Sequence, residues 1–247
     1  RIEISVENYG ERYSLDPENI SYNRHPLIEA AIDLMKVPTD QAFTINIYSD
    51  APPGASMGTS AAISVALVGG LAALSETRLT PHETALLAHS IETEKLGMQC
   101  GIQDQLASAY GGISFMNMYE FPHASVSPLM VLESIWWELE HRLAVVYIGS
   151  PHGSSEVHTK VIAELGDNAS DDPRLARLRE MATEGQSALY AGDFEHLGWC
   201  MNENTEAQRK LHPGLVCEAF EQIIQTANDF SALGCKVNGA GGDGGSL

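Results

Sequence analysis

A strand, a turn dense in chain breakers and a long apolar helix follow one another between Phe43 and Leu74. This succession constrains the chain more than any other feature. Phe43, Ile45 and Ile47 alternate with polar neighbours, the period-two pattern of a half-buried strand. Asp50-Ala51-Pro52-Pro53-Gly54 stops it. Ser60 to Leu74 then reads as a buried helix, and its apolar run is too short to span a bilayer. Gly69 and Gly70 cost helix propensity there and predict close packing against another backbone. Between strand and helix lie Pro53, Gly54, Ala55, Ser56, Met57, Gly58, Thr59, Ser60 and Ala61. The glycines let successive N–H groups turn inward, and the helix start adds the positive end of its dipole, which together make an anion site. Thr59 and Ser60 add hydroxyls that can bond phosphate or help hold a metal. The same small residues would equally serve tight packing alone. The stretch is not a P-loop, because no G-x-x-x-x-G-K-S/T run is present and no lysine follows.

Around this centre the pattern alternates strands with helices. Arg1 to Val6 reads as a half-buried strand, and because it opens without methionine the sequence is expected to lack native N-terminal residues. His25-Pro26 opens a helix through Met35, with Pro26 in the tolerated first turn. Thr80-Pro81-His82-Glu83 forms a capping box for a helix expected to run to about Leu96 and stop at Gly97. Ile113 to Met118 reads as a strand, and Phe121 to Leu132 as a connector. In the second half, Leu143 to Ile148 reads as a continuous apolar strand. Helices are expected over Pro173 to Ala191, Phe194 to Leu211 and Leu215 to Leu233. Gly234 would cap the last, and a short strand, Cys235 to Val237, would lead into a glycine-rich end. Two domains are expected, residues 1–138 and 139–247.

The charge narrows the partners. Against 33 Asp and Glu stand 14 Lys and Arg, a formal net charge of −19. That excludes a nucleic-acid surface, which needs basic patches, and docking on anionic membrane. It leaves an anionic substrate open, because a helix N-terminus binds phosphate whatever the global charge. Cys100, Cys200, Cys217 and Cys235 have neither CxxC nor zinc spacing and read as reduced thiols of a cytoplasmic protein. His25, His152 and His158 have no ligand spacing. Trp136-Trp137 reads as core or interface, and Ser150 to Ser155 as an N-cap loop or a second anion site.

Carboxylates suited to chemistry lie downstream of the loop. Glu92 and Asp104 stand on opposite sides of a turn containing Gly97 and Gly101, so two elements can bring them together. Phosphoryl transfer needs an oxygen donor for Mg²⁺ and a group that orients and deprotonates the attacking hydroxyl. The alternative is a solvated helix face (Glu92, Glu94, Lys95) with Asp104 capping the next helix.

Pro53 (or Pro52) to Ala62 resembles the second motif of the GHMP kinases, P-x-x-x-G-L-G-S-S-A-A, with Ser56 for glycine, Met57 for leucine and Thr59 for serine. Glu92 with Gly97, then Gly101-Ile102-Gln103-Asp104-Gln105 and Tyr110-Gly111-Gly112, resembles the metal-and-base segment of the family's sugar-directed members, heptose-phosphate kinases and fucokinases. Lys236 to Gly245 resembles the third motif, with Asp243 at a position usually glycine. The family's first motif is absent.

The resemblance implies an α+β, two-domain fold: a first domain like the second domain of ribosomal protein S5, with a left-handed βαβ crossover, and a ferredoxin-like second domain. It implies ATP over the loop Pro53 to Ala61, Mg²⁺ on Ser60 and Glu92 with Glu94 as the competitor, and Asp104 as the catalytic carboxylate. Gln103, Gln105, Gly239, Gly241 and Gly242 would contact substrate. The expected activity is ATP- and Mg²⁺-dependent phosphorylation of a sugar or sugar phosphate by a monomer or homodimer. An isoprenoid or amino-alcohol kinase and a non-catalytic sugar sensor are the alternatives.

Overall fold

The computed structural model describes all residues except 39–40, 150–153, 167–171, 240 and 243, with the backbone alone at 154–158. Helices and short sheets combine in an α+β arrangement that divides into two compact units. Arg1–Pro52 with Gly58–Ser127 form the first, and Pro53–Met57 with Pro128–Leu247 the second.

In the first unit β1 (Ile2–Val6) lies between β2 (Glu11–Leu15), antiparallel, and β3 (Phe43–Ile47), parallel. The registers Ile2↔Leu15 and Ile2↔Phe43 put Ile2, Ile4 and Val6 on one buried face. That face meets α1 (Pro26–Met35), α2 (Thr59–Leu74) and the start of the turn after α3 (Pro81–Ser90) in one apolar core. On α2 the buried residues Ala61, Ser64, Val68 and Leu71 recur at helical spacing, while Gly69 and Gly70 are exposed with open space where a side chain would stand. The close backbone packing expected at those glycines is therefore absent. Thr80 and Glu83 make both bonds of the capping box. The α-helix ends at Ser90, short of the expected Leu96, because the chain widens into a π-helical turn, Ile91–Lys95, before Gly97. α4 (Gln103–Tyr110) follows.

β4 (Ser114–Glu120) pairs with β5 (His123–Pro128), where a connector was expected. Ala124 and Val126 turn toward the apolar cluster of Ile102 and Leu106, an alternation that the flanking prolines and serines had masked. β2 was likewise not foreseen, although Tyr13 and Leu15 alternate with exposed neighbours.

The second unit is mainly helical: α5 (Glu133–Arg142), α6 (Ser154–Leu165), α7 (Pro173–Ala191), α8 (Phe194–Leu211) and α9 (Glu218–Asp229). α7 and α8 keep the bounds expected from sequence. The helix expected from Leu215 is instead a 3₁₀ turn, Pro213–Leu215, and then α9, which Phe230 ends. Gly234 is not its cap. A Cβ there would collide with the backbone of Gly198 on α8, and a Cβ at Gly198 with Leu233, so the two glycines permit a backbone crossing.

Leu143 to Ile148 is not a regular strand. It pairs with the chain end through Val146 N–H to Leu247 O (2.8 Å), Ile148 N–H to Gly245 O (3.1 Å) and one antiparallel bridge, Tyr147↔Ser246. Cys235 to Val237 is no strand either. Cys235 and Val237 donate their N–H groups to Asn202 Oδ1 and Thr205 Oγ1 on α8, side-chain partners in place of a ladder. Trp136 and Trp137 are exposed on α5, outside any core. Among the described residues no helix is long and apolar enough to cross a membrane.

Candidate active site

The loop before α2 turns by alternation. Gly54 (φ 71°), Ser56 (φ 54°) and Gly58 (φ 67°) are all left-handed, so Ser56 adopts the conformation for which a glycine is usual. Gly58 is the N-cap of α2, and no side chain caps that helix. Its first-turn N–H groups at Thr59, Ser60 and Ala61 therefore keep the donor character and positive dipole end of an open helix start. The Thr59 hydroxyl is buried without a hydrogen-bond partner among the described residues.

Behind this helix start stands Glu92, 3% exposed, on the π-helical turn. The turn is held from two sides. Ile91 is fully buried in the core, and Lys95 pairs with Asp33 on α1 at 2.6 Å, an acid that also accepts from Tyr22. Such π turns recur at functional sites, because the inserted residue re-aims its neighbours. Glu92 Oε1 accepts a hydrogen bond from Gln105 Nε2 at 2.8 Å, and Glu92 Oε2 one from Ser60 Oγ at 3.4 Å. Burial raises the Glu92 pKa above the ordinary carboxylate range. Those two donors and His89 oppose the rise, and the Asp104 charge adds to it. A solvated helix face is thus excluded for Glu92, while Glu94, two residues on, is exposed.

Asp104 sits in the first turn of α4, whose N-cap is Ile102. Its carboxyl lies over Gly58: a Cβ added there would come within 3.2 Å of Asp104 Cβ and Cγ. Only glycine meets both the positive φ and this approach. Desolvation of the carboxyl raises the Asp104 pKa, although the residue as a whole is exposed. Gln103 is exposed beside it, whereas Gln105 is buried and turned to Glu92. The Cys100 thiol is pushed up to about 11, first by burial and then by the charges of Glu92 and Asp104.

The donor set suits a hard cation. Ser60 and Glu92 offer neighbouring oxygens, and the buried Glu92 carboxylate is paired with neutral donors. Among the described residues no cluster of three or more His, Cys, Asp or Glu forms a cage. A Mg²⁺ ion, which takes oxygen donors and commonly only one or two protein carboxylates, would fit Ser60 and Glu92.

The rest of the loop, Pro53–Met57, belongs to the second unit with the C-terminal glycine stretch. Ser246 Oγ donates to Ala55 O at 2.6 Å. A side chain at Gly245 (φ 101°) would collide with Ser56 Oγ, and Gly239 faces the Ser56 Cβ. Gly242 N–H donates to Leu215 O at 3.1 Å, and Gly241 abuts the same carbonyl. Ala240, Asp243 and the loop Ser150 to Gly153, with its His152, lie outside the described residues, as does the side chain of His158. The contacts of Gln105 with Glu92, of Asp104 with Gly58 and of Ser246 with Ala55 were not legible in the sequence, since each joins residues whose spacing follows no local period.

Residues 26–112 match the family model for the GHMP kinases N terminal domain. The chain is 29% identical over 240 residues to the D-glycero-alpha-D-manno-heptose 7-phosphate kinase of Campylobacter jejuni, covering 97% of this chain and 68% of that protein. It is 30% identical over 244 residues to the mevalonate kinase of Thermococcus sibiricus, covering 94% and 66%. It thus spans about two thirds of the length of these curated relatives. A crystal structure of a D-glycero-D-manno-heptose 1-phosphate kinase from Bacteriodes thetaiotaomicron superposes with a TM-score of 0.74 at 25% identity, covering 97% of this chain and 70% of that one. The chain belongs to the GHMP kinase family, whose members are phosphotransferases acting on hydroxyl groups.

Proposed function

We propose that the protein transfers the γ-phosphoryl group of ATP to a hydroxyl of a sugar phosphate, the anomeric C1 hydroxyl of a heptose phosphate being the leading acceptor. The observation that carries this reading is the buried Glu92 carboxylate, held between Ser60 and Gln105 at the open start of α2. In this reading the N–H groups of Gly58 to Ala61 bind the phosphates of ATP. Ser60 and Glu92 hold Mg²⁺, which supplies charge neutralisation of the phosphates when bound. Asp104 orients the acceptor hydroxyl and takes its proton as the oxygen bonds to the γ-phosphorus and ADP departs. Its raised pKa makes it a stronger base than a solvated aspartate. The two units are read as the family's N- and C-terminal domains.

The similarity to a mevalonate kinase favours a second reading, an isoprenoid-precursor alcohol as acceptor. A coupled ADP-release assay with Mg·ATP and a panel of sugars, sugar phosphates and mevalonate separates the two. With the productive acceptor, Asp104→Asn is expected to lose roughly 10²–10⁴-fold in kcat, with Mg·ATP binding little changed. Equal loss of binding and turnover would assign Asp104 a structural role. ATP binding with no acceptor-dependent ADP across the panel would remove the kinase reading.

A further inference from the structure

We infer that Gln105 is the positioning residue of the metal carboxylate: it fixes Glu92 in the rotamer that faces Ser60 and so sets the affinity for the divalent cation. This rests on the proposed role of Ser60 and Glu92 and deepens it. Gln105 is 1% exposed, and its Nε2 donates to Glu92 Oε1 at 2.8 Å. The other end of the same amide, Oε1, is buried with no hydrogen-bond partner among the described residues. A buried amide with one end unsatisfied is held there by its remaining contacts, here the Glu92 carboxylate and the weaker partner Cys100. Reversing the amide would set its carbonyl oxygen against the Glu92 carboxylate, so Glu92 also fixes its orientation. The remaining neighbours do not replace this bond. Ser60 Oγ is at 3.4 Å, longer than a strong charge-assisted bond. His89 from α3 acts on the carboxylate only electrostatically, without a hydrogen bond to it, and Asp104 opposes it.

Chain geometry adds a second consequence. Asp104 and Gln105 are consecutive on α4, and successive side chains diverge around a helix by about 100°. Asp104 lies over Gly58, while Gln105 reaches Glu92. The bond to Glu92 therefore adds one tether to a helix whose rotation is set by the packing of Ile102 and Leu106. Burial leaves Gln105 turned away from solvent, where an acceptor sugar would arrive.

The test compares wild type with Gln105→Met, which keeps volume and removes the donor, and Gln105→Glu, which places a second carboxyl against Glu92. Mn²⁺ binding in the presence of ADP is followed by electron paramagnetic resonance, beside the Mg²⁺ dependence and acceptor KM of turnover. Loss of a ligand's supporting partner costs metal affinity about 10–100-fold. Gln105→Met is expected to weaken Mn²⁺ binding and raise the Mg²⁺ half-saturation by at least about tenfold, with acceptor KM unchanged; Gln105→Glu should weaken it further. Unchanged metal affinity, or a lower melting temperature alone, overturns the inference in favour of packing. A rise in acceptor KM alone overturns it in favour of a sugar contact. Should wild type bind Mn²⁺ with ADP yet phosphorylate nothing, the proposed activity falls while the Mn²⁺ comparison still decides the role of Gln105. A wild type that binds no Mn²⁺ with ADP overturns both.

Discussion

Glu92 shows at the scale of one residue how a site is held at a cost to the fold. Its carboxylate is nearly out of water, and desolvation outweighs its two neutral donors, so its pKa is raised in the folded chain. The direction of the effect on stability follows from proton counts. Between the ordinary carboxylate range and the raised value, the folded chain binds more protons at Glu92 than the unfolded chain does. Stability therefore falls as pH rises through that window and stays lower above it. Asp104, also raised by desolvation, acts in the same direction. Replacing Glu92 by Gln keeps an acceptor for Gln105 and a partner for Ser60 while removing the charge. In metal-free buffer at pH 7 we expect Glu92→Gln to raise the melting temperature by about 2–4 °C, the change that ~1 kcal/mol makes in a chain of this length. The gain should shrink toward zero near pH 4, where both forms are neutral, and turnover should be lost. A melting temperature at pH 7 that is unchanged or lower would mean that burial of this charge carries no net penalty.

Elements position the site through their ends. α3 matters because its C-terminal end runs into the π turn that carries Glu92, and its N-terminal end is fixed by Thr80 and Glu83. Thr80→Ala removes the acceptor of the Glu83 N–H and should cost about 1 kcal/mol, read as a lower denaturation midpoint at unchanged slope. An unchanged midpoint would show that packing of Ala85 and Ala88 holds the helix without its cap. This box was legible because it is a local pattern, four consecutive residues whose chemistry needs nothing distant. The strand at Phe43, the loop glycines, and α7 and α8 were legible for the same reason. The π turn was not. Its sequence, Ile91 to Lys95, is helical by every local measure, and the widening accompanies the burial of Ile91 and the tether of Lys95 to Asp33, a residue sixty-two positions earlier. β5 was hidden by the prolines and serines that punctuate it. Gly69 and Gly234 misled in opposite ways: one lacks the close neighbour that its cost suggested, and the other has a backbone neighbour where a cap was expected. Within the site, the residue types at Glu92 and Asp104 could be read from the chain. The partners that orient them could not, because those contacts depend on how α2, α4 and the π turn pack.

On the scale of the whole molecule the dominant quantity is charge. A net charge of −19 surrounds a site proposed to receive a polyanion. Two fields of opposite sign therefore act on an arriving nucleotide. The global field repels it at long range. The open start of α2, with its N–H groups at Thr59 to Ala61, attracts it over about the length of the helix's first turn. Salt separates them, because the Debye length falls from about 30 Å at 0.01 M to about 8 Å at 0.15 M. The long-range repulsion is screened over that interval, and the contacts inside the loop are not. At fixed free Mg²⁺, kcat/KM for Mg·ATP should rise severalfold between 0.01 and 0.15 M KCl while kcat stays level, since only the encounter is affected. This is the reverse of the salt response of a site steered by a basic surface. A fall in kcat/KM over the same interval would show that the local field of the loop and its bound cation reaches beyond the acidic surface, and that encounter is steered by the site itself.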